Sequence, residues 1–145
     1  MSHKPMRDNK KEKILESDVE LIEGKGTKKH GGGKRGYYWH VYYKGKRAGR
    51  VYINWVEPKS GTGFASITVE LNQNSRGKGI GTVCFQRACE LSRYDEVFAE
   101  MRKSNIASQI AAKRGGFKPV KGYKGGQMRM VWRRKKPRRK IPDAL

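Results

Sequence analysis

The sequence has little of what would place it in a membrane or in a disulfide-bonded class. No apolar run approaches the roughly 18 residues that a membrane span requires, and Met1-Ser2-His3-Lys4 leads into no hydrophobic signal segment. Cytosolic residence and no membrane partner are the expectation. There are only two cysteines, Cys84 and Cys89, and their spacing fits neither a CxxC metal site nor a disulfide scaffold. They read as reduced thiols in a core. The chain is also short of acid, with 13 Asp and Glu against 34 Lys and Arg. The resulting net charge of +21 exceeds what solubility requires and points to a polyanionic partner, either nucleic acid or an anionic cofactor. No internal repeat is visible, and 145 residues with 35% hydrophobic content suit one compact domain.

The charge is unevenly spread. The last 28 residues carry 11 basic and 1 acidic residue, which makes the C-terminal tail, residues 133–145, the expected probe for DNA or RNA. Residues 1–36 mix charge with Gly31-Gly32-Gly33 and have only short apolar runs, Ile14-Leu15 and Val19 to Ile22, so a flexible basic arm with one edge strand is expected there. From Tyr37 the pattern changes. Tyr37 to Tyr43 is aromatic and β-prone, Lys44-Gly45-Lys46 makes a turn, and Ala48 to Trp55 completes a hairpin. Gly63 to Leu71 alternates, with Ser66, Thr68 and Glu70 on one face. Ile80, Cys84, Ala88 and Leu91 then recur at helical spacing, Glu96 to Met101 is a short strand, and Asn105 is placed to cap a second helix whose apolar residues are Ile106, Ala107, Ile110 and Ala111. Gly115-Gly116 ends that helix, and Gln127 to Trp132 is a last β-prone run before the charged stretch Arg133 to Lys140.

Between the third strand and the first helix lies Arg76-Gly77-Lys78-Gly79-Ile80-Gly81. A strand that passes through a glycine-rich loop into a helix aims several backbone N–H groups at one point, where the helix dipole also favours negative charge. Glycines at 77, 79 and 81 allow close approach, and Arg76 and Lys78 add charge to a phosphate site. Two nucleotide loops are excluded by spacing. The dinucleotide fingerprint would need glycine where Thr82 stands, and the P-loop ending fails because Gly79 follows Lys78.

The loop resembles the pyrophosphate motif of the GNAT superfamily of acetyl-CoA-dependent N-acetyltransferases, Q/R-x-x-G-x-G/A. A second segment, Asn105 through Ser108 to Arg114-Gly115-Gly116-Phe117, is similar to the family's N-x-x-S/A followed by K/R-x-G-F. The resemblance covers residues 37–132. It implies an α/β (α+β) fold with a central mixed, mostly antiparallel sheet flanked by helices, the N-terminal helical part being shortened. It implies acetyl-CoA as cosubstrate, with Val69 and Leu71 offering strand backbone to pantetheine, Arg76, Gly77, Lys78, Gly79, Ile80, Gly81 and Thr82 holding the pyrophosphate, and Asn105 and Ser108 near the thioester. Asn105 reads equally as a helix cap, and Ser108 as a solvent-facing serine.

Transfer to an amine needs a neutral nucleophile and a proton for the departing thiolate. Many family members place a tyrosine seven residues after the motif asparagine, where this chain has Ala112. Ser108 and Tyr123 are the substitutes considered. Glu70 is the candidate general base, with a surface carboxylate facing basic side chains as the competing reading. His40 has a suitable intrinsic pKa but lies among aromatics, where a packed histidine is the commoner role. The acceptor is an amine, and the basic segments, with the aromatics of Tyr37 to Arg50 available for base stacking or for a hairpin core, tilt it toward one on or near nucleic acid. A DNA base-modifying acyltransferase like the phage Mom proteins and a non-catalytic nucleic-acid-binding module are the rival functions.

Overall fold

The computed structural model describes residues 15–27 and 31–136. Of the N-terminal arm only the part from residue 15 is included, and of the charged run after Trp132 only the part up to Lys136. Among the described residues seven strands form one sheet: β1 (Val19–Glu23), β2 (Tyr37–Tyr43), β3 (Lys46–Val56), β4 (Phe64–Leu71), β5 (Glu96–Met101), β6 (Lys118–Pro119) and β7 (Met128–Arg133). Their spatial order is β1-β2-β3-β4-β5-β7-β6. Every neighbouring pair is antiparallel except β4 with β5, so the sheet is mixed and mostly antiparallel, as expected.

Local chemistry sets the hairpin. Lys44 and Gly45 both have positive φ, 51° and 81°, the backbone that a two-residue hairpin turn demands. Further along, Val41 pairs with Gly49 but Tyr42 pairs with Arg47, so Ala48 is an extra residue that bulges β3. Gly49 is needed at this bulge, because a Cβ there would overlap the Glu70 carbonyl on β4. The edge strand expected in the first 36 residues is β1. It is held by its ladder to β2 and by Arg87, whose guanidinium donates to the carbonyls of Val19 and Glu16.

Two helices, α1 (Ile80–Leu91) and α2 (Ile106–Arg114), pack on one face of the sheet. Strand alternation sends Trp39, Val41, Val51, Ile53, Ala65, Ile67, Val97, Ala99, Met130 and Trp132 to that face, where they meet Ile80, Val83, Cys84, Phe85, Ala88 and Cys89 of α1. Burying the larger of these side chains contributes about 1.5–3 kcal/mol each. Cys84 and Cys89 are unpaired and buried, and burial pushes the Cys84 thiol up to about 12 and Cys89 higher still. Among the described residues no α-helix lies between β1 and β2. Among the described residues no helix is long and apolar enough to cross a membrane.

The helical stripes differ from the sequence expectation at three large residues. Leu91 is 52% exposed because the last turn of α1 ends on Ser92, which takes the buried position and donates its hydroxyl to the Cys89 carbonyl at 2.8 Å. Ile106 and Ile110 are exposed, and the fully buried residue of α2 is Ala112. The reason is close approach: a Cβ on Gly81 of α1 would stand 3.4 Å from the Ala111 Cβ, so small residues make this helix contact.

Candidate active site

The parallel strands β4 and β5 are registered at one pair, Ser66 with Phe98, and part beyond it toward Leu71 and Met101. Two adjoining cavities of about 600 and 580 Å³ occupy this opening, within the range of small-molecule sites. The first is lined by Thr68 and Glu70 of β4, by Glu100 and Met101 of β5, and by Arg102 and Gln127. The second runs along Leu71, Arg76, Gly77, Gly79, Gly81 and Thr82 and is closed by Ala107, Ile110, Ala111 and Arg114 of α2. Val69, Glu70, Phe85, Asn105 and Ser108 line both, which makes them the junction.

The second cavity is suited to phosphate. Gly77 and Gly79 have φ of 74° and 86°, left-handed backbone that glycine adopts without strain. Gly79 is the N-cap of α1 and supplies no side-chain acceptor, so the first N–H groups of the helix face the loop without a cap. Arg76 is exposed and reaches back to the Leu71 carbonyl at 3.3 Å, while Lys78 stands 6.0 Å from the Tyr43 ring. Ile80 is buried, anchoring the helix start in the core. The backbone of β4 completes the wall. The Asn72 N–H donates to the Ala48 carbonyl at 2.7 Å, so by ladder alternation Glu70 and Thr68 also turn their backbone groups to β3. Val69 and Leu71 therefore turn theirs toward the gap.

Asn105 caps α2, accepting the Ser108 N–H at 3.1 Å, and the side chain of Gln109 donates to the carbonyls of Arg102 and Lys103, fixing the turn that leads from β5. The cap and the cavity positions coexist for both Asn105 and Ser108. Glu70 is exposed on the rim and accepts from Arg50 Nε at 2.6 Å, with the Tyr52 hydroxyl at 3.5 Å. Tyr123 lines neither cavity. Its hydroxyl donates to Glu100 at 3.0 Å, and this bond, then burial and the Glu100 charge, raise its pKa, so the phenol holds its proton. Arg129 lies 3.7 Å from the same carboxylate, over the rings of Phe98, Phe64 and Tyr123. His40 is two strands away from β4, beside Tyr38, and lines neither cavity. Ala112 is in the core rather than in the cleft.

Cavity-lining residues that the sequence reading did not assign to a site include Phe85, Glu100, Arg102, Arg114 and Gln127. Phe85 follows Gly81 by one helical turn, and Ala107, Ile110 or Ala111, and Arg114 form a stripe of three-and-four spacing, so periodicity carried that part of the signal. Ile110 read as core because it is apolar, yet its place is the cavity wall. Glu100 and Gln127 enter only through strand pairing, which spacing along the chain does not reveal.

A family model described as an acetyltransferase (GNAT) domain matches residues 4–118. No curated protein matches by sequence. Among solved structures, RimL, a ribosomal-protein alpha-N-acetyltransferase in complex with coenzyme A, is 19% identical with a TM-score of 0.56, over 68% of this chain and 62% of that one. AAC(6')-Ib in complex with paromomycin and acetyl-CoA is 21% identical with a TM-score of 0.56, over 69% and 66%. The GNAT domain of PAT from S. lividans is 11% identical with a TM-score of 0.59, over 68% and 61%. This chain thus spans less than two thirds of the length of each of these three.

Proposed function

This chain belongs to the GNAT acetyltransferase domain family, and on that premise we propose that it moves an acetyl group from acetyl-CoA to an amine acceptor on or near a nucleic acid. The observation that carries the reading is the parting of β4 and β5, which joins a phosphate-suited cavity to a carboxylate-lined one through Asn105 and Ser108. In this reading the loop from Arg76 to Thr82 holds the pyrophosphate, Arg114 adds a third cation, and the backbone of Val69 and Leu71 receives the pantetheine arm. The acceptor enters from the side of Glu70 and Glu100.

An amine arrives protonated and must lose one proton before its lone pair can attack the thioester carbonyl. Glu70 takes that proton, directly or through a water. A second proton leaves the nitrogen as the C–N bond forms and the C–S bond breaks, and it ends on the thiolate. Ser108, on the wall common to both cavities, is the group placed to relay it. Tyr123 acts on Glu100 rather than on the reacting atoms, orienting that carboxylate at the acceptor mouth.

Calorimetry with acetyl-CoA tests the cofactor site. Arg76→Ala should weaken binding about tenfold, the loss of one charge-assisted hydrogen bond, and Gly79→Glu more, because it combines a strained φ with like charge. Equal affinity in wild type and both variants would refute the assignment. A thiol-release assay against amines, polypeptides, tRNA and DNA identifies the acceptor class. Binding without release on any of them would leave the non-catalytic module as the function.

A further inference from the structure

After Glu100 the chain has no acidic residue up to Lys136, yet it has twelve basic ones. Arg129, Arg133 and Arg134 are committed to Glu100, Glu96 and Asp95, and Arg102 and Arg114 line the cavities. Lys103, Lys113, Lys118, Lys121 and Lys124 are all exposed and join no ion pair among the described residues.

Topology places four of these lysines on the side of the sheet beyond β5. Lys103 is in the turn between β5 and α2 and Lys118 is on the edge strand β6, whereas Lys113 is at the far end of α2. Lys121 and Lys124 are in the loop that leads to β7, whose first residue, Met128, pairs with Met101. That loop therefore returns to the end of β5 where the cleft opens between Glu100 and Arg102. The outcome is a cationic flank beside a chamber lined by the carboxylates of Glu70 and Glu100. Coenzyme phosphates do not account for the flank. Strand β6 lies two strands beyond β5, roughly 10 Å farther from the glycine loop, and the loop has cations of its own.

We propose that this flank docks a nucleic-acid strand, with phosphates on Lys103, Lys118, Lys121 and Lys124, and that the acceptor amine is carried by that strand into the chamber between Glu70 and Glu100. The inference rests on the cleft being the transfer site. A row of separate ammonium groups on flexible stems suits the repeating phosphates of a strand, which fix position without reading sequence. A protein partner would dock on a cluster of large anchors at the centre of the contact, whereas this loop exposes a single large side chain, Tyr123, an aromatic on which a base can stack. The carboxylates inside suit an ammonium, and the lysines outside suit its polyanionic carrier.

The test is fluorescence anisotropy of a labelled single-stranded RNA, its DNA counterpart, a DNA duplex and a polyglutamate peptide against the full chain over a salt series. Lys103→Gln, Lys118→Gln, Lys121→Gln and Lys124→Gln are combined in one variant, and Arg138→Gln, Arg139→Gln and Lys140→Gln in another. The flank variant should flatten the slope of log affinity against log salt by about three, from four lost phosphate contacts. Its affinity for acetyl-CoA should stay at the wild-type value, which also reports that it is folded. Thiol release should fall at least tenfold with an amine-bearing oligonucleotide and stay unchanged with a small diamine. An unchanged slope, a loss confined to the tail variant, or polyglutamate binding as tight as RNA overturns the proposal. Failure of the wild type to bind acetyl-CoA instead overturns the transfer reading, and the slope then judges the flank alone.

Discussion

Arg133 and Arg134 are adjacent arginines at the start of the charged tail, and the structure assigns them opposite energetic weights. Arg134 is docked: its side chain is 16% exposed, its Nε donates to Asp95 at 3.1 Å, and one terminal nitrogen reaches the carbonyls of Cys89, Ser92 and Tyr94 at 3.3, 3.0 and 2.9 Å. It thereby supplies the cation that α1 lacks in its own last turn. Hydrogen bonds to a charged group contribute about 1.5–3 kcal/mol each. Three acceptors share two protons and water re-solvates part of the site, so Arg134→Ala should cost about 3 kcal/mol. Arg133 pairs with Glu96 at 2.9 Å, but its side chain is 68% exposed, and such pairs are worth about 0.5 kcal/mol or less. Urea unfolding followed by tryptophan fluorescence separates the two. With m near 1.5 kcal/mol/M, Arg134→Ala should lower the midpoint by about 2 M and Arg133→Ala by about 0.3 M. Equal shifts in the two variants would refute the reasoning.

Alkali should destabilise the fold through its buried thiols. Both native values are raised, Cys84 to about 12 and Cys89 above it, while the unfolded thiols titrate near 8.5, so the unfolded chain loses protons that the native state keeps. Stability is full below that pH and falls above it by about 1.4 kcal/mol per pH unit per thiol; a Cys84→Ala, Cys89→Ala double variant that kept the wild-type slope between pH 9 and 11 would count against this. Gly49→Ala should cost about 3 kcal/mol or more, since its Cβ meets the Glu70 carbonyl at a positive φ; a change under about 1 kcal/mol in the same urea assay contradicts the bulge geometry. Glu70→Gln should lower kcat by about 10²- to 10⁴-fold in thiol release; undiminished turnover removes Glu70 as the base.

Much of the fold was legible because strands and turns write themselves locally. The aromatic run from Tyr37, the Lys44-Gly45 turn, the alternation through Ser66, Thr68 and Glu70, and the cap at Asn105 each appear where the sequence puts them. The glycine loop was legible for the same reason, since left-handed backbone favours glycine and Gly77 and Gly79 of the loop adopt it. What stayed hidden depends on which neighbours meet. The pairing of Arg50 with Glu70 follows from the β3–β4 register, and that of Arg129 with Glu100 from β5–β7. Neither register is encoded in spacing along a single strand.

Helix α2 shows how hydrophobicity misleads when one face of an element is a cavity wall. A helix that packs on a core by its largest apolar groups would bury Ile106 and Ile110. Here the contact with α1 is made at Gly81 and Ala111, where two backbones approach too closely for a large side chain, and Ala112 with Phe117 fills the core beneath. The isoleucines are displaced outward, and Ile110 becomes part of the wall of the second cavity. The same geometry bears on the missing tyrosine. Position 112 faces the core, so the place where many relatives carry a general acid is occupied here by a residue that packs. In the proposed transfer reaction the proton for the thiolate then comes from the cleft's own lining, where Ser108 is the hydroxyl at the junction of the two cavities.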